Sequence, residues 1–231
     1  MARFSFFAPG IYLKNIESLS IELKIPGVEL DDAVLSSSSQ EILRISLESG
    51  ITYVGINLNK DLQTYETGSL EKTALFCEAN NIGAIIFNNP GSSYEAAELV
   101  LKTLSYFKIA AVFENKENSF LSKPEDMNQF FRNNRQALLC YNPAEMVNQK
   151  THPFLTGLNG QTYRKNLFMV RVIERRYDGV YALPINGDSE LCEIFSAAAG
   201  FGKNVWASIS PYGGYTLQEI KKPMLEALLR I

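Results

Sequence analysis

The chain has 231 residues, of which 46% are apolar and 20% charged, and its formal net charge is −3. These values are ordinary for a globular protein, and the chain is long enough to bury about 70% of its unfolded surface without disulfides or a structural metal. A nucleic-acid-binding face would need a strong basic excess, and the sequence has only a short one at Arg171, Arg175 and Arg176, so no nucleic-acid partner is expected.

Cysteine usage and hydropathy indicate a cytoplasmic protein. Cys77, Cys140 and Cys192 are far apart in the sequence, which predicts neither a disulfide framework nor a metal clip, and each is interpreted as a small buried apolar residue. No apolar run approaches the roughly 20 residues of a membrane helix. The first apolar run is broken at Pro9 and Gly10, too early for a secretory signal. No membrane contact is expected.

Apolar runs of strand length alternate with helix-like segments along the chain. Strands are predicted at residues 4–8, 27–30, 51–56, 82–87, 109–113, 137–141, 167–173 and 203–209. Helices are predicted at residues 15–24, after Ser38 up to Gly50, at 69–80 after a loop that contains Gly68, from Ser92 to near Lys108, after Ser122, at 189–199, and from Thr216 through Leu229. Residues 177–184 are interpreted as a turn and a short extended segment.

Four helix starts are predicted from capping boxes, in which a Ser or Thr is followed three residues later by Glu. They are Ser38 with Glu41, Ser92 with Glu95, Ser122 with Glu125 beside Pro124, and Thr216 with Glu219.

Eight strand–helix units in a chain of this length predict an α/β fold, a single (β/α)8 TIM barrel that spans residues 1–231 as one domain. An open doubly wound sheet is the alternative. It is disfavoured because the turn after the first strand, Ala8-Pro9-Gly10-Ile11-Tyr12, contains one glycine where a dinucleotide-binding turn has three.

The carboxyl ends of barrel strands face the active site, so polar residues at these ends are candidate site residues. In chain order they are Glu29 and Asp31, Asn57 and Asn59, Asn88, Glu114, Asn142, Arg171 and Glu174, and Ser208 with Ser210. Any one of them, taken alone, is more readily explained by a strand that ends in water.

Two consecutive segments, FENKENSFLSKPEDMNQFF and ALLCYNPAEM, resemble the sugar phosphate isomerase/epimerase family, the xylose isomerase-like TIM barrels. The second predicted strand, Gly27-Val28-Glu29-Leu30, also matches the family pattern. The resemblance is specific in its motifs between Ala111 and Glu145 and covers most of the chain in layout. It implies the barrel fold and a sugar or sugar phosphate as the ligand, and it leaves the oligomeric state open.

The resemblance also implies a divalent metal held by Glu, Asp, His and Glu at four strand ends. Carried over to this chain, Glu114 is the first ligand, Asn142 stands in place of Asp, Arg171 stands in place of His, and Ser208, or Ser210, stands in place of the last Glu. Because an amide, hydroxyls and an arginine are poor partners for a dication, we expect no metal cofactor. We expect Arg171 to occupy the place of the metal and to pair with Glu114.

Two functions follow from the resemblance. In the first, a divergent isomerase or epimerase works without the metal, with Glu114 or Glu174 as the base and Arg171 as the stabiliser of an enediolate. In the second, the barrel only binds or senses a carbohydrate, through polar groups of Asn57, Asn88, Asn115, Asn142 and Ser208. Stacking aromatics for the second function would come from Tyr53, Tyr141, Trp206 or Tyr212.

Three further residues bear on the ligand. Arg175, Arg176 and Lys203 could hold a phosphate, although they are better explained as surface residues. The single histidine, His152, is interpreted as a loop residue, and one histidine does not supply the multi-zinc site of the endonuclease branch of this family.

Overall fold

Eight parallel strands close into a barrel in the computed structural model, which describes residues 3–7, 13–200 and 205–228. Neighbouring strands follow chain order around the barrel, and the last strand pairs with both β7 and β1. The barrel strands are β1 (Arg3–Phe7), β2 (Gly27–Asp31), β3 (Thr52–Leu58), β4 (Ala84–Phe87), β5 (Ala110–Glu114), β6 (Leu138–Tyr141), β7 (Leu167–Arg171) and β10 (Trp206–Ile209). The predicted barrel is confirmed, and the open sheet is not formed.

The helices surround this barrel. They are α1 (Leu13–Leu23), α2 (Ser39–Ser49), α3 (Thr67–Ala79), α4 (Tyr94–Leu104), α5 (Pro124–Asn133), α6 (Pro143–Asn148), α7 (Leu191–Gly200) and α8 (Leu217–Leu228). Three short 3-10 helices at Asp32–Ser36, Leu62–Thr64 and Thr162–Asn166, together with α6, were not predicted. The predicted extended segment at 177–184 contributes β9 (Tyr181–Ala182), which pairs antiparallel with β8 (Glu174–Arg175).

Several predicted boundaries are wrong by a few residues. α3 begins at Thr67, so Gly68 lies inside the helix rather than in a loop. α4 ends at Leu104, four residues before the predicted end. β7 ends at Arg171, because the chain then turns into β8. Predictions at residues 8–12, 203 and 229 lie outside the described residues.

Two of the predicted capping boxes are wrong. Ser38 is the N-cap of α2, but its side chain makes no capping hydrogen bond. α5 begins directly at Pro124 with Lys123 as its N-cap, so Ser122 does not cap it. Proline supplies the start signal there, since its fixed φ suits the first helical position.

The other two start signals are close to the observed caps. For α4 the cap is Ser93 instead of Ser92, and its Oγ accepts from the N–H of Ala96 at 3.1 Å. For α8 the predicted box is confirmed, since Glu219 Oε2 accepts from the Thr216 N–H at 2.8 Å and from its hydroxyl at 2.7 Å.

The barrel interior has an apolar floor below its carboxyl end. Six buried side chains form a cluster there, separate from the larger core between strands and helices: Val54, Ala84, Ile86, Val112, Cys140 and Met169. Val112 and Met169 each precede a polar residue by two positions, Glu114 and Arg171, so they share the inward face of their strands. The polar side chains of the mouth therefore rest on a closed apolar layer.

An aromatic cluster attaches β5 to the helices outside the barrel. Phe113 stacks on Phe87 with ring centroids 5.3 Å apart and meets Phe130 of α5 edge-on at 5.4 Å. Phe120 and Tyr94 contact the same Phe130 ring at 4.9 and 5.3 Å. This packing fixes the strand that carries Glu114.

Candidate functional site

The guanidinium of Arg171, at the carboxyl end of β7, fills the centre of the barrel mouth. Arg171 is 3% exposed, and a buried guanidinium needs an acceptor for each of its five N–H groups. All five have one. The acceptors are Glu114 Oε2 for Nε at 2.9 Å, Glu29 Oε2 and Ser208 Oγ for Nη1 at 2.6 and 2.7 Å, and Asn57 Oδ1 and Asn88 Oδ1 for Nη2, both at 2.8 Å.

The charge of Arg171 is strongly held in this environment. Burial alone lowers the pKa of an arginine, but the adjacent carboxylates of Glu114 and Glu29 raise the pKa of Arg171 well above its usual value. The ring of Phe7 adds a cation–π contact, with its centroid 5.9 Å from the guanidinium carbon. The guanidinium is therefore a fixed cation at every ordinary pH.

Both carboxylate oxygens of Glu114 accept hydrogen bonds within the cluster. Oε2 accepts from Arg171, and Oε1 accepts from the side-chain amide of Asn142 at 2.8 Å. The thiol of Cys140 lies 3.7 Å from Oε2. The predicted pairing of Arg171 with Glu114 is confirmed.

Glu29 is a second carboxylate of the same cluster. Its Oε1 accepts from the Ser5 hydroxyl at 2.7 Å, and its Oε2 accepts from Asn57 Nδ2 at 3.3 Å in addition to Arg171. It is 1% exposed. The pair expected from the sequence, Arg171 with Glu114, is formally neutral, and Glu29 brings the formal charge of the cluster to −1.

The asparagines of β5 and β6 serve the backbone as well as the cluster. Asn142 is the N-cap of α6, with Oδ1 accepting from the Ala144 N–H at 3.2 Å while Nδ2 holds Glu114. Asn115 is fully buried, and its amide spans to the backbone N–H and C=O of Asn142 at 2.6 and 3.0 Å. Asn115 therefore joins two strand ends and presents no group to a ligand.

Strand register decides between the two serines. Ser208 lies opposite Ser5 on one side and Arg171 on the other, and its hydroxyl accepts from Arg171. Ser210 lies two residues further out and lines the open part of the mouth. Ser208 is the residue in the predicted position.

Glu174 belongs to a different part of the molecule. Its carboxylate accepts from the N–H groups of Ile185 and Ser189 at 3.0 and 2.6 Å, which anchors the loop after β9. Burial raises the pKa of Glu174, although these hydrogen bonds act in the opposite direction. The structure thus separates Glu174 from Glu114 and Arg171, with which the sequence had grouped it.

A small cavity opens above the cluster. Its volume is about 190 Å³, and it is lined by Phe7, Asn88, Glu114, Lys116, Glu145, Arg171, Ile173 and Ser210. Burial raises the pKa of Glu145, whose Oε2 accepts from the backbone N–H of Glu117 at 2.9 Å. Lys116 and Glu145 were not predicted as site residues, because each lies just beyond its strand end.

The other predicted ligand contacts do not line this cavity. The hydroxyls of Tyr53, Tyr141 and Tyr212 donate to the backbone carbonyls of Ile42, Pro153 and Ala182, and Trp206 packs against the apolar floor. Arg175 and Arg176 donate to the carbonyls of Gly179 and Asn186 within their own hairpin and loop. His152 is an exposed loop residue beside Tyr177 and Glu190.

The donor set does not fit a divalent metal. A hard dication needs several oxygen or imidazole ligands converging on one point, whereas here a guanidinium occupies that point and engages both carboxylates. Among the described residues no three His, Cys, Asp or Glu side chains are grouped so that they could hold a metal ion.

Within the part of the chain that the structure describes, no helix has the length and hydropathy needed to span a bilayer.

Comparison with solved structures places the chain in a known fold. It matches a xylose isomerase domain protein from Planctomyces limnophilus at 14% identity and a TM-score of 0.73, over 99% of this chain and 95% of that one. It matches endonuclease IV from Thermus thermophilus at 12% identity and a TM-score of 0.73, over 99% and 100%. It matches a D-allulose 3-epimerase from Methylomonas sp. in complex with D-allulose at 10% identity and a TM-score of 0.70, over 99% and 89%.

This chain therefore has the fold of the xylose isomerase-like TIM barrels, whose members include sugar isomerases and epimerases. No family model and no curated protein matches the sequence.

Proposed function

We propose that this protein is a divergent barrel of the sugar isomerase and epimerase type that binds one small sugar at its mouth without a metal ion. The observation that carries the proposal is the arrangement of Arg171. Its five N–H groups are all engaged within the protein, and they tie up both carboxylates that could otherwise receive a cation. The mouth is thus a preformed polar surface.

The cavity suits a ligand of one sugar ring. Its volume of about 190 Å³ is below the ~300–1,000 Å³ of ordinary small-molecule sites. The side-chain amide of Asn88 donates one N–H to Asn59 Oδ1 and accepts one hydrogen bond from Arg171. Its second N–H and the second lone pair of its oxygen remain for a sugar hydroxyl. Phe7 and Ile173 supply apolar surface for the carbon face of the ring.

An unphosphorylated sugar is favoured over a sugar phosphate. Of the described residues that line the cavity, Lys116 and Arg171 are the cations, and the N–H groups of Arg171 are already used. Lys116 alone would have to compensate a phosphate dianion beside Glu114 and Glu145. We also infer a cytoplasmic location, because none of the three cysteines forms a disulfide, and no nucleic-acid partner from the net charge of −3.

The proposal is tested by calorimetric titration with neutral monosaccharides, with and without EDTA, and by metal analysis of the purified protein. We expect EDTA-insensitive binding of one sugar class, weakened about tenfold or more by Asn88→Ala. Asn159→Ala is the matched control, because Asn159 is exposed and does not line the cavity. A stoichiometric divalent metal, or binding that EDTA abolishes, would contradict the proposal.

A second candidate function is metal-independent proton transfer. Glu114 and Glu145 line the same cavity, and the raised pKa of Glu145 brings it toward the range in which a carboxyl can exchange protons. Glu145, as the carboxylate, would take a proton from the carbon next to a carbonyl, giving an enediolate, and would return a proton to that carbon, which regenerates the carboxylate. Proton NMR in D2O tests this: the carbon-bound proton of the bound sugar should exchange for deuterium, and Glu145→Gln should stop the exchange. Absence of exchange in a sugar that binds would leave binding as the function.

A further inference from the structure

A groove on the outer wall of the barrel lies far from the mouth. It has a volume of about 930 Å³ and runs between α5 and the 3-10 helix Thr162–Asn166. Arg135 precedes β6 and Asn166 directly precedes β7, so the groove reaches the amino ends of these strands. The candidate sugar site is at their carboxyl ends. The groove is therefore physically separate from that site.

The groove carries a local positive charge in a chain of net charge −3. Arg132 and Arg135 line one wall and Lys165 lines the groove from the 3-10 helix. Glu125 also lines it, but seven residues before Arg132 on the same helix, roughly 10 Å away along the axis. The cations therefore form one end of the groove, and the carboxylate lies at the other.

Arg132 and Arg135 are both exposed, and in the part of the chain that the structure describes neither guanidinium has a hydrogen bond or an ion pair. The negative end of the α5 dipole explains a cation at Arg132, in the last turn. It does not explain Arg135, which lies beyond the helix. Two unengaged guanidinium forks that line one groove are suited to a phosphate or carboxylate group, which they can bind through paired N–H donors.

The groove is held open by hydrogen bonds between its walls. Asn128 of α5 accepts from the N–H and the hydroxyl of Thr162 at 2.9 and 2.7 Å and donates to Gln161 at 2.5 Å. Asn166, which is 9% exposed, donates to the carbonyls of Arg135 and Ala137 at 3.2 and 2.7 Å. The backbone that carries Arg135 is therefore fixed to the opposite wall.

We propose that this groove binds a phosphorylated small molecule, with its phosphate groups on Arg132 and Arg135 and its hydroxyls on the amides that line the wall. A nucleic-acid strand is disfavoured because the one aromatic residue among the lining residues, Phe131, is 2% exposed and offers no face for a base to stack on. A volume of about 930 Å³ is at the upper end of ordinary ligand sites, so the groove has room for a sugar bisphosphate.

The test is calorimetric titration of the full chain with pyrophosphate and with fructose 1,6-bisphosphate, with fructose as the phosphate-free comparison. We expect both phosphorylated probes to bind and Arg132→Gln/Arg135→Gln to weaken them about tenfold or more. The control is Lys72→Gln/Lys102→Gln, which removes the same charge from exposed positions on α3 and α4. The affinity of this control variant for both phosphorylated probes should stay within about twofold of that of the unmodified chain.

The proposal is overturned if neither phosphorylated probe binds. It is also overturned if the two double variants lose affinity equally, which would indicate non-specific attraction. The mouth variant Asn88→Ala distinguishes this groove from the candidate sugar site. Phosphate binding that survives Asn88→Ala and perturbs the NMR amide signals of Asn133 and Thr162 supports the groove. Loss in Asn88→Ala, with changes at Lys116 instead, would assign the probes to the mouth and contradict the groove.

Discussion

Arg171 joins strand ends that are far apart in the sequence. Glu29 and Arg171 are separated by 142 positions, and Asn57 and Arg171 by 114. A buried ion pair of this kind gains little net stability over apolar residues of the same shape, because desolvation opposes the Coulomb attraction. Removing one partner is costly, however, because it leaves the others charged and unpaired.

We predict that Arg171→Met lowers the free energy of unfolding by about 3–5 kcal/mol, since it leaves Glu29 and Glu114 buried without a counter-charge. Urea denaturation measures the change. Adding Glu29→Gln and Glu114→Gln to this variant should restore part of the loss. Arg44→Met is the control, because the Arg44–Glu48 pair is exposed and should contribute about 0.5 kcal/mol or less. Equal effects of Arg171→Met and Arg44→Met would show that the cluster is not a buried unit.

Glu174 gives a pH-dependent prediction. Burial raises its pKa in the folded state, so the folded chain binds this proton more tightly than the unfolded chain does. The group therefore favours folding at low pH, and this contribution is lost as the pH rises through the folded pKa. The difference in unfolding free energy between the unmodified chain and Glu174→Gln should decrease from about pH 4.5 upward. Urea titrations at several pH values measure it, and a difference that increased with pH would contradict the assignment.

At the scale of elements, apolar periodicity predicted all eight barrel strands. Each observed strand overlaps its predicted run, because a strand buried on both faces is apolar throughout. The polar residues at the ends of the second to eighth runs were also predictable. The helix starts were less predictable. Ser38 and Ser122 each lie three residues before a Glu, yet neither side chain caps a helix. Backbone conformation decides whether the Ser and Glu side chains form their capping hydrogen bonds, and a short sequence pattern does not determine that conformation.

The helix α6 was missed although its signal was present. Asn142 followed by Pro143 is an N-cap and a first helical residue, but the pair was interpreted only as the polar end of β6. The six-residue length of α6 explains the omission, since it is too short to show a periodic pattern.

Two glycines should respond in opposite directions to alanine. At Gly27 an added Cβ would lie 2.5 Å from the carbonyl oxygen of Phe4 and 2.6 Å from the Trp206 ring, at the junction of β1 and β2. We expect Gly27→Ala to destabilise the chain by about 1–3 kcal/mol. Gly68 lies in α3, and apart from its chain neighbours and the backbone of its own helix no atom lies within 4 Å of an added Cβ. Gly68→Ala should therefore stabilise the chain by roughly 0.5 kcal/mol. Thermal unfolding of both variants checks this, and the same sign for both would refute the packing argument.

At the scale of the molecule, the sequence predicted the barrel but not the complete set of inward side chains that meet at its centre. The resemblance placed Glu114, Asn142, Arg171 and Ser208 together, and the structure does bring them together. Glu29 was visible as a polar strand end, yet its pairing depends on strand tilt and register around a closed barrel. Those quantities come from the packing of all eight strands, so no local pattern contains them.

The single-domain prediction can be tested through two buried thiols in different layers. Cys77 packs in the core between the strands and the helices, whereas Cys140 lies in the inner floor of the barrel, and both have no exposed surface. Burial raises the pKa of Cys77 to about 12 and that of Cys140 well above its usual value, so each thiol reacts only in an opened chain.

If the chain unfolds as one cooperative unit, Cys77 and Cys140 should become reactive over the same range of urea. Pulsed labelling with N-ethylmaleimide, resolved by peptide mass spectrometry, gives a midpoint for each thiol, and circular dichroism gives the global midpoint. Half-buried Cys192 monitors the reagent in the same samples. We expect the two midpoints to coincide with the global transition, because the closed strand order leaves no edge at which half of the barrel could separate. A lower midpoint for Cys77 alone would show that the helical layer around α3 opens independently of the strands, contrary to a single cooperative domain.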